Sequence, residues 1–247
     1  MLTPEDIKAK KSKHEMISMI TAYDFAFANI AEAAGIDQIL VGDSLANTML
    51  GYKSTREIGM TEMLIFTAAV CRGAPNTHVV ADMPYLSDKD PQTAYDNARR
   101  LMDVGASSVK IEGTPAGVLE FLHEKGIPVC GHLGLLPQTA ENFKQKGRTE
   151  EEARAIEEAA KFVEGLCFET VLEHIPEELG KKITDEISIP TIGIGGGKFT
   201  DGHVLVMHDA LGMHPNKIPP FATKFVDMYS VGVQGVKKYI ESVKARA

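Results

Sequence analysis

Seven side chains in this sequence are of types that do chemistry, and they stand in a recurring place. Asp43 and Ser44 follow QILVG, Asp82 closes THVVAD, and Lys110 and Glu112 stand two apart in SVKIEG. His132 lies in PVCGHLG and Glu173 in ETVLEH. Each stands near the C-terminal end of a short β-compatible run, where a buried parallel strand delivers polar groups to a site. Taken singly, each has an ordinary structural account. Asp43 would cap the next segment, Asp82 before Met83 and Pro84 would form a turn, and His132 between glycines would hold a neutral imidazole against backbone. Taken together, Asp43, Asp82 and Glu112 bring three carboxylates to neighbouring strand ends, where unpaired they would repel one another. A hard divalent cation removes that conflict, and Mg²⁺ prefers a few carboxylates completed by water and substrate oxygens.

Strand periodicity orients the rest. Lys110 and Glu112 share one face of their strand, while Val109 and Ile111 occupy the other and pack toward helices. The two charged groups then point into the sheet's enclosed side, where charge is costly without a purpose. Glu173 follows Val171 in the same alternation and is again inward; His174 faces outward. Gly195, Gly196 and Gly197 have the look of a phosphate loop, but no Lys-Ser/Thr follows, so a tight turn is the better reading.

The elements that must position these groups alternate. Strands are expected at MISMITAYD, QILVGDSL, THVVADMP, SVKIEG, IPVCGHLG, FETVLEH and IPTIGIGGG, and VLVMHD reads as a short eighth strand or as a helical turn capped by Asp201. Between them run helical segments with clear ends: FAFANIAEAAG closing at Gly35, MTEMLIFTAAVCRG with Thr61 near its start, and DPQTAYDNARRLMDVG with Asp90 as N-cap and Pro91 at the first position. Thr149 opens an acidic first turn, which suits the helix dipole. Residues 46–56 form a loop able to fold over a pocket, and 135–148 a second polar loop. A charged segment, 1–16, precedes the first strand, and a helix from about 221 to 247 ends the chain, with kinks expected at Gly232 and Gly235. Right-handed crossovers without a linker close most economically into a single-domain (β/α)8 barrel over residues 1–247. An open doubly wound sheet would offer one crevice, whereas here several successive strand ends carry polar groups.

Composition narrows the partners. The formal net charge of −8 argues against nucleic acid, which needs a clustered basic surface. No apolar run reaches bilayer length, and the N-terminus lacks the apolar core of a signal peptide. Three cysteines, Cys71, Cys130 and Cys167, without metal spacing fit a reducing, cytoplasmic setting.

TAYD, LVGDSL, VVADMP, VKIEG, GHLGL-PQ, LEHIP-EL, IPTIGIGGG and DG-VLVMHD-LG, in that order, resemble the ketopantoate hydroxymethyltransferase family over nearly the whole chain from Ile17. The resemblance implies a barrel like those of phosphoenolpyruvate mutase and isocitrate lyase. It implies Mg²⁺ served by Asp43, Asp82 and Glu112, and a 2-oxo acid bound by Asp43, Ser44, Asp82, Lys110 and His132. Glu173 is implied as the base. The implied reaction carries a hydroxymethyl group from 5,10-methylenetetrahydrofolate to 3-methyl-2-oxobutanoate, giving ketopantoate for pantothenate synthesis. The family likeness further implies a homo-oligomer, a decamer of two pentameric rings.

The sequence also departs from the family pattern. AENFKQKGR stands where a glycine-rich segment is usual, with Leu136 for threonine, Thr114 for glycine, His174 for cysteine and Gly196 for alanine. The metal and base positions are kept, and the changes flank the pocket. Two other readings carry weight beside the transferase. A metal-dependent carbon–carbon lyase of the same superfamily would use the same enolate logic, but the cysteine loop typical of that group is absent from the sequence. A non-catalytic binding protein would not need Asp43, Lys110 and Glu173 all retained.

Overall fold

The structure, a computed structural model, describes residues 1–215 and 219–246. Eight parallel strands close on themselves in sequence order: β1 (Ile17–Thr21), β2 (Gln38–Val41), β3 (His78–Asp82), β4 (Ser108–Glu112), β5 (Val129–Gly134), β6 (Glu169–Glu173), β7 (Thr191–Ile194) and β8 (Gly202–Leu205). The helices are α1 (Pro4–Ser12), α2 (Phe25–Ala33), α3 (Leu45–Thr48), α4 (Met60–Gly73), α5 (Pro91–Asp103), α6 (Val118–Glu124), α7 (Glu150–Glu164), α8 (Glu177–Glu186), α9 (Met207–Ala210) and α10 (Met228–Lys244). The expected (β/α)8 barrel is the fold observed. The chain divides into two compact units, Met1–Val204 and Leu205–Ala247.

Side chains from successive strands fill the barrel as a packed core rather than a channel. Met19, Leu40, Val80, Cys130, Val171, Ile192 and Val204 belong to one buried cluster with Ile7 and Phe168. Ile7 comes from α1, the charged segment that reads from sequence only as a lead-in. Thr3 and Asp6 form a capping box there, Pro4 occupies the first turn, and Ile7 is the one buried residue of the helix. A mostly polar segment folds because its cap is complete and one aliphatic side chain seals the core.

Local signals account for most other boundaries. Asp90 accepts from Thr93 N ahead of Pro91, and Thr149 accepts from Glu152 N at the acidic start of α7. Helix α4 begins earlier than Thr61 suggests: Gly59 is its N-cap, and the Glu62 side chain accepts from Gly59 N. VLVMHD resolves into both alternatives, the end of β8 and then α9. Asp201 does not cap that turn. Its Oδ2 accepts from Lys11 Nζ and Thr191 N, both at 2.9 Å, and its carbonyl accepts from Ile17 N, helping to join β8 to β1.

Among Gly195, Gly196 and Gly197, the tight-turn reading holds, and the cause is packing against α8. A Cβ on Gly180 would meet Gly196 O at 2.4 Å. The C-terminal helix starts at Met228, capped by Asp227, rather than near 221, and runs through Gly232 and Gly235 to Lys244 as one helix. None of its residues is buried.

Candidate active site

Register alone brings the chemistry together. Strand pairing sets Asp82 beside Lys110, Glu112 beside His132, and Gly134 beside Glu173. Parallel strands with matched C-terminal ends therefore place these side chains at one mouth of the barrel. Asp43 lies just past β2, where its backbone N–H donates to Asp82 Oδ2 at 2.9 Å. Lys110 Nζ stands 2.8 Å from Asp82 Oδ1 and 3.4 Å from His132 Nδ1. His132 continues the chain of contacts, with Nδ1 at 3.5 Å from Glu112 Oε1 and Nε2 at 3.1 Å from Glu173 Oε2. Asp43, Asp82, Lys110 and His132 are buried, while the Glu173 side chain retains 21% exposure and faces the opening.

Burial and mutual charge tune these groups. Burial first, and the Asp82 charge second, push the Asp43 carboxyl up to about 7, against the pull of Lys110. Burial opposes the Lys110 charge, but Asp82, Glu112 and Asp43 hold the ammonium firmly protonated. His132 loses from burial and from Lys110, yet hydrogen bonding by Glu112 and Glu173 outweighs both and raises the imidazole to about 9. The ring is engaged by side chains of the site, Lys110, Glu112 and Glu173, rather than by the backbone contact that is its ordinary structural account. Burial would raise Glu112, but His132, Lys110 and the backbone N–H of Gln138 bring it below the usual carboxylate range.

The oxygen-rich end of this network suits a hard cation. Asp82 Oδ1, although near Lys110, is buried without a well-aligned hydrogen bond, and Asp43 is a carboxyl whose ionisation burial and Asp82 resist. A divalent cation beside both would satisfy the first and relieve the second. Glu112 is placed differently. It is engaged by His132 and by Gln138 N at 3.0 Å, and among the described residues no three His, Cys, Asp or Glu side chains form a ready metal cage. The geometry pairs Asp43 with Asp82 and sets Glu112 at the next position along the network.

Two polar side chains join the site that residue type alone did not single out. Gln138 Nε2 donates to Asp43 Oδ2 at 2.8 Å and to Met83 O at 2.9 Å, so one buried amide ties the β5 loop to the ends of β2 and β3. Tyr23, itself buried, shares a 2.8 Å hydrogen bond with Ser44 Oγ. Burial first raises the Tyr23 phenol to about 12, so it stays a neutral partner for that hydroxyl. Both lie in stretches that look family-like, TAYD and GHLGL-PQ, which was the available signal. The two mouth loops also meet: Arg56 Nη2 donates to Ala140 O at 3.0 Å and its guanidinium lies 5.4 Å from the Tyr85 ring centre.

Solved structures with this barrel define the class. A putative phosphonomutase from Burkholderia cenocepacia J2315 aligns with a TM-score of 0.64 at 12% identity, over 83% of this chain and 95% of that one. A 2,3-dimethylmalate lyase, a PEP mutase/isocitrate lyase superfamily member, aligns with a TM-score of 0.61 at 15% identity over 100% of both. At those identities the likeness is one of fold, and the fold is the PEP mutase/isocitrate lyase type of barrel.

The family is fixed by sequence. The ketopantoate hydroxymethyltransferase model matches residues 1–247. The curated 3-methyl-2-oxobutanoate hydroxymethyltransferase of Thermotoga neapolitana is 47% identical over 247 residues, covering 97% of this chain and 91% of that protein. Its counterpart in Geobacillus sp. is 42% identical over 254 residues, covering 100% of this chain and 91% of that protein. The chain belongs to the ketopantoate hydroxymethyltransferase family of enzymes.

Proposed function

We propose that this enzyme transfers a hydroxymethyl group from 5,10-methylenetetrahydrofolate to 3-methyl-2-oxobutanoate, giving ketopantoate. The observation that carries the reading is the unbroken line of groups from Asp43 through Asp82, Lys110 and His132 to Glu173. That line sets an oxygen-rich, metal-competent end against a partly exposed carboxylate at one barrel mouth.

Asp43 and Asp82, with Glu112 at the next position, would hold a Mg²⁺ ion, which when bound would supply Lewis-acid chemistry to the 2-oxo acid. Lys110 adds a permanent positive charge at the same end, and Ser44, held by Tyr23, offers a hydroxyl to the substrate carboxylate. Glu173 takes the proton from C3, leaving the electron pair in conjugation with the keto group. His132 Nε2 lies 3.1 Å from Glu173 Oε2 and orients that carboxylate. The donor's methylene carbon is held by two C–N bonds. C3 bonds to it as one of them breaks, and the hydroxyl of water replaces the other. The two freed nitrogens take the proton removed from C3 and the remaining proton of water, so the donor leaves as tetrahydrofolate.

The family likeness supports assembly as a homo-oligomer, a decamer. The exposed apolar side chains of α10, with Val231 at 67% and Tyr239 at 69%, are in keeping with further contacts. A cytoplasmic setting accords with three free cysteines, and among the described residues no helix is long and apolar enough to cross a membrane.

The test follows the C3 proton of 3-methyl-2-oxobutanoate by NMR in D₂O with Mg²⁺, then adds the folate donor and looks for ketopantoate. Exchange followed by product is the expected result. Exchange without product would keep the proton-abstracting half and exclude this donor. Absence of exchange with folded, metal-loaded protein would overturn the reading.

A further inference from the structure

Three loops at the barrel mouth are tied together twice. The first tie is buried: Gln138, in the loop after β5, donates through Nε2 to Asp43 Oδ2, just past β2, and to Met83 O, just past β3. The second lies at the surface and joins the same three loops through a different residue. Arg56, in the loop after β2, donates through Nη2 to Ala140 O in the loop after β5 at 3.0 Å. Its guanidinium carbon stands 5.4 Å from the ring centre of Tyr85, in the loop after β3. Tyr85 is two residues past Met83, and Ala140 is two past Gln138. The outer tie thus repeats the inner one, two residues further along each of those loops.

Each end of the outer tie is held stiffly. Arg56 sits in a single 3-10 turn, Thr55–Glu57, where Ser54 Oγ accepts from Arg56 N and Glu57 Oε1 accepts from Lys53 N and Ser54 N. Its long side chain is therefore carried on a capped base. Across the mouth, Leu136 O accepts from Thr139 N at 3.1 Å and from Ala140 N at 2.9 Å, closing one turn with Gln138 inside it. In that turn Gln138 N donates to Glu112 Oε2 at 3.0 Å. A pull on Ala140 O is passed to Gln138, and from Gln138 to the carboxylates of Asp43 and Glu112. On the third side Pro84 O accepts from Ser87 N, a turn that holds Tyr85. Its ring offers the flat face that a planar guanidinium matches.

We propose that Arg56 is a positioning residue, a clasp whose closure keeps Gln138 on Asp43 and so fixes the end of the site that receives the 2-oxo acid. The effect on substrate rests on the function proposed above, whereas the joining of the loops does not. His132 and Glu173 are set by strand register, His132 beside Glu112 and Glu173 beside Gly134, and do not depend on the clasp. Arg56 therefore acts on binding of the 2-oxo acid more than on removal of its proton. With the clasp open, the turn that carries Gln138 opens to water more often, and Asp43 loses its donor.

Amide hydrogen exchange on the full chain, read by mass spectrometry without substrate or metal, tests the clasp directly. Arg56→Ala should speed exchange in residues 136–141 by about threefold to tenfold, the scale of one hydrogen bond from a charged donor, and leave β6 unchanged. Proton exchange at C3 of the 2-oxo acid reads the consequence. Arg56→Ala should raise KM by a similar factor while kcat stays within about twofold. In a Gln138→Ala background the same substitution should raise KM no further, because the clasp works through that amide. A melting curve checks that each variant folds. Unchanged amide exchange at 136–141, or effects of Arg56→Ala and Gln138→Ala on KM that multiply, would overturn the clasp. Faster amide exchange in Arg56→Ala, together with a wild type that leaves the C3 proton untouched, would sink the transferase reading and keep the joining of the loops.

Discussion

His132 Nε2 stands 3.1 Å from Glu173 Oε2, while Nδ1 of the same ring lies 3.5 Å from Glu112 Oε1. One imidazole thus bridges the carboxylate that faces the mouth and the carboxylate that adjoins the oxygen-rich end. Against burial and the Lys110 charge, Glu112 and Glu173 raise this imidazole to about 9, and it in turn helps to bring Glu112 below the usual carboxylate range.

Replacing Glu173 by Gln keeps shape and removes the acceptor. Proton exchange at C3 should fall by about 10²–10⁴-fold. Mg²⁺ binding, read by calorimetry, should remain, since Glu173 is not among the proposed ligands. Full exchange in Glu173→Gln would remove it as the base.

Gln138→Ala deletes the amide that joins Asp43 to Met83 O and leaves a buried carboxylate and carbonyl without their donor. A stability loss of about 1–3 kcal/mol is expected, read by denaturant unfolding. Mg²⁺ affinity should fall with it, because Asp43 is no longer oriented. Unchanged metal affinity would show that Gln138 serves packing alone.

Gly134 has φ of +95°, and a Cβ there would lie 2.3 Å from Glu173 O, so Gly134→Ala must move the strand end that carries the base. Gly35 also has a positive φ, of +81°, but its added Cβ would meet nothing within 4 Å. Gly35→Ala should therefore cost only backbone strain, about 1–3 kcal/mol, with exchange retained. Gly134→Ala should cost more and lose most exchange. Equal behaviour of the two would mean that Glu173 tolerates displacement.

Glu169 lies at the start of β6, fully buried, with Gln38 Nε2 donating to its Oε2 at 2.8 Å. Burial raises this carboxyl from 4.5 to about 7, only partly offset by hydrogen bonds from Gln38 and Cys130. The folded chain then binds a proton more readily than the unfolded one. Its contribution to stability is fully present below pH 4.5 and is lost as pH rises through about 7, a fall of about 3 kcal/mol. Glu169→Gln keeps the acceptor for Gln38 and should flatten stability between pH 5 and pH 8. An unchanged slope would assign the pH dependence elsewhere.

The sequence by itself determined the alternation of strands and helices, the barrel that follows from it, and the strand ends bearing Asp43, Asp82, Lys110, Glu112, His132 and Glu173. Those features are written in periodicity and caps, which act over a few residues. Helix α1 was opaque, because a polar segment with one buried isoleucine has almost no periodic signal. Asp201 reads locally as a cap, yet its partners are Lys11 and Thr191, far away along the chain or across a strand. The tertiary structure alone decided that Gln138 reaches Asp43, that Glu112 turns toward His132 and Gln138, and that His132 stands between Glu112 and Glu173. Each of these depends on which groups burial brings within about 3 Å of one another. Spacing along a chain carries no such distance.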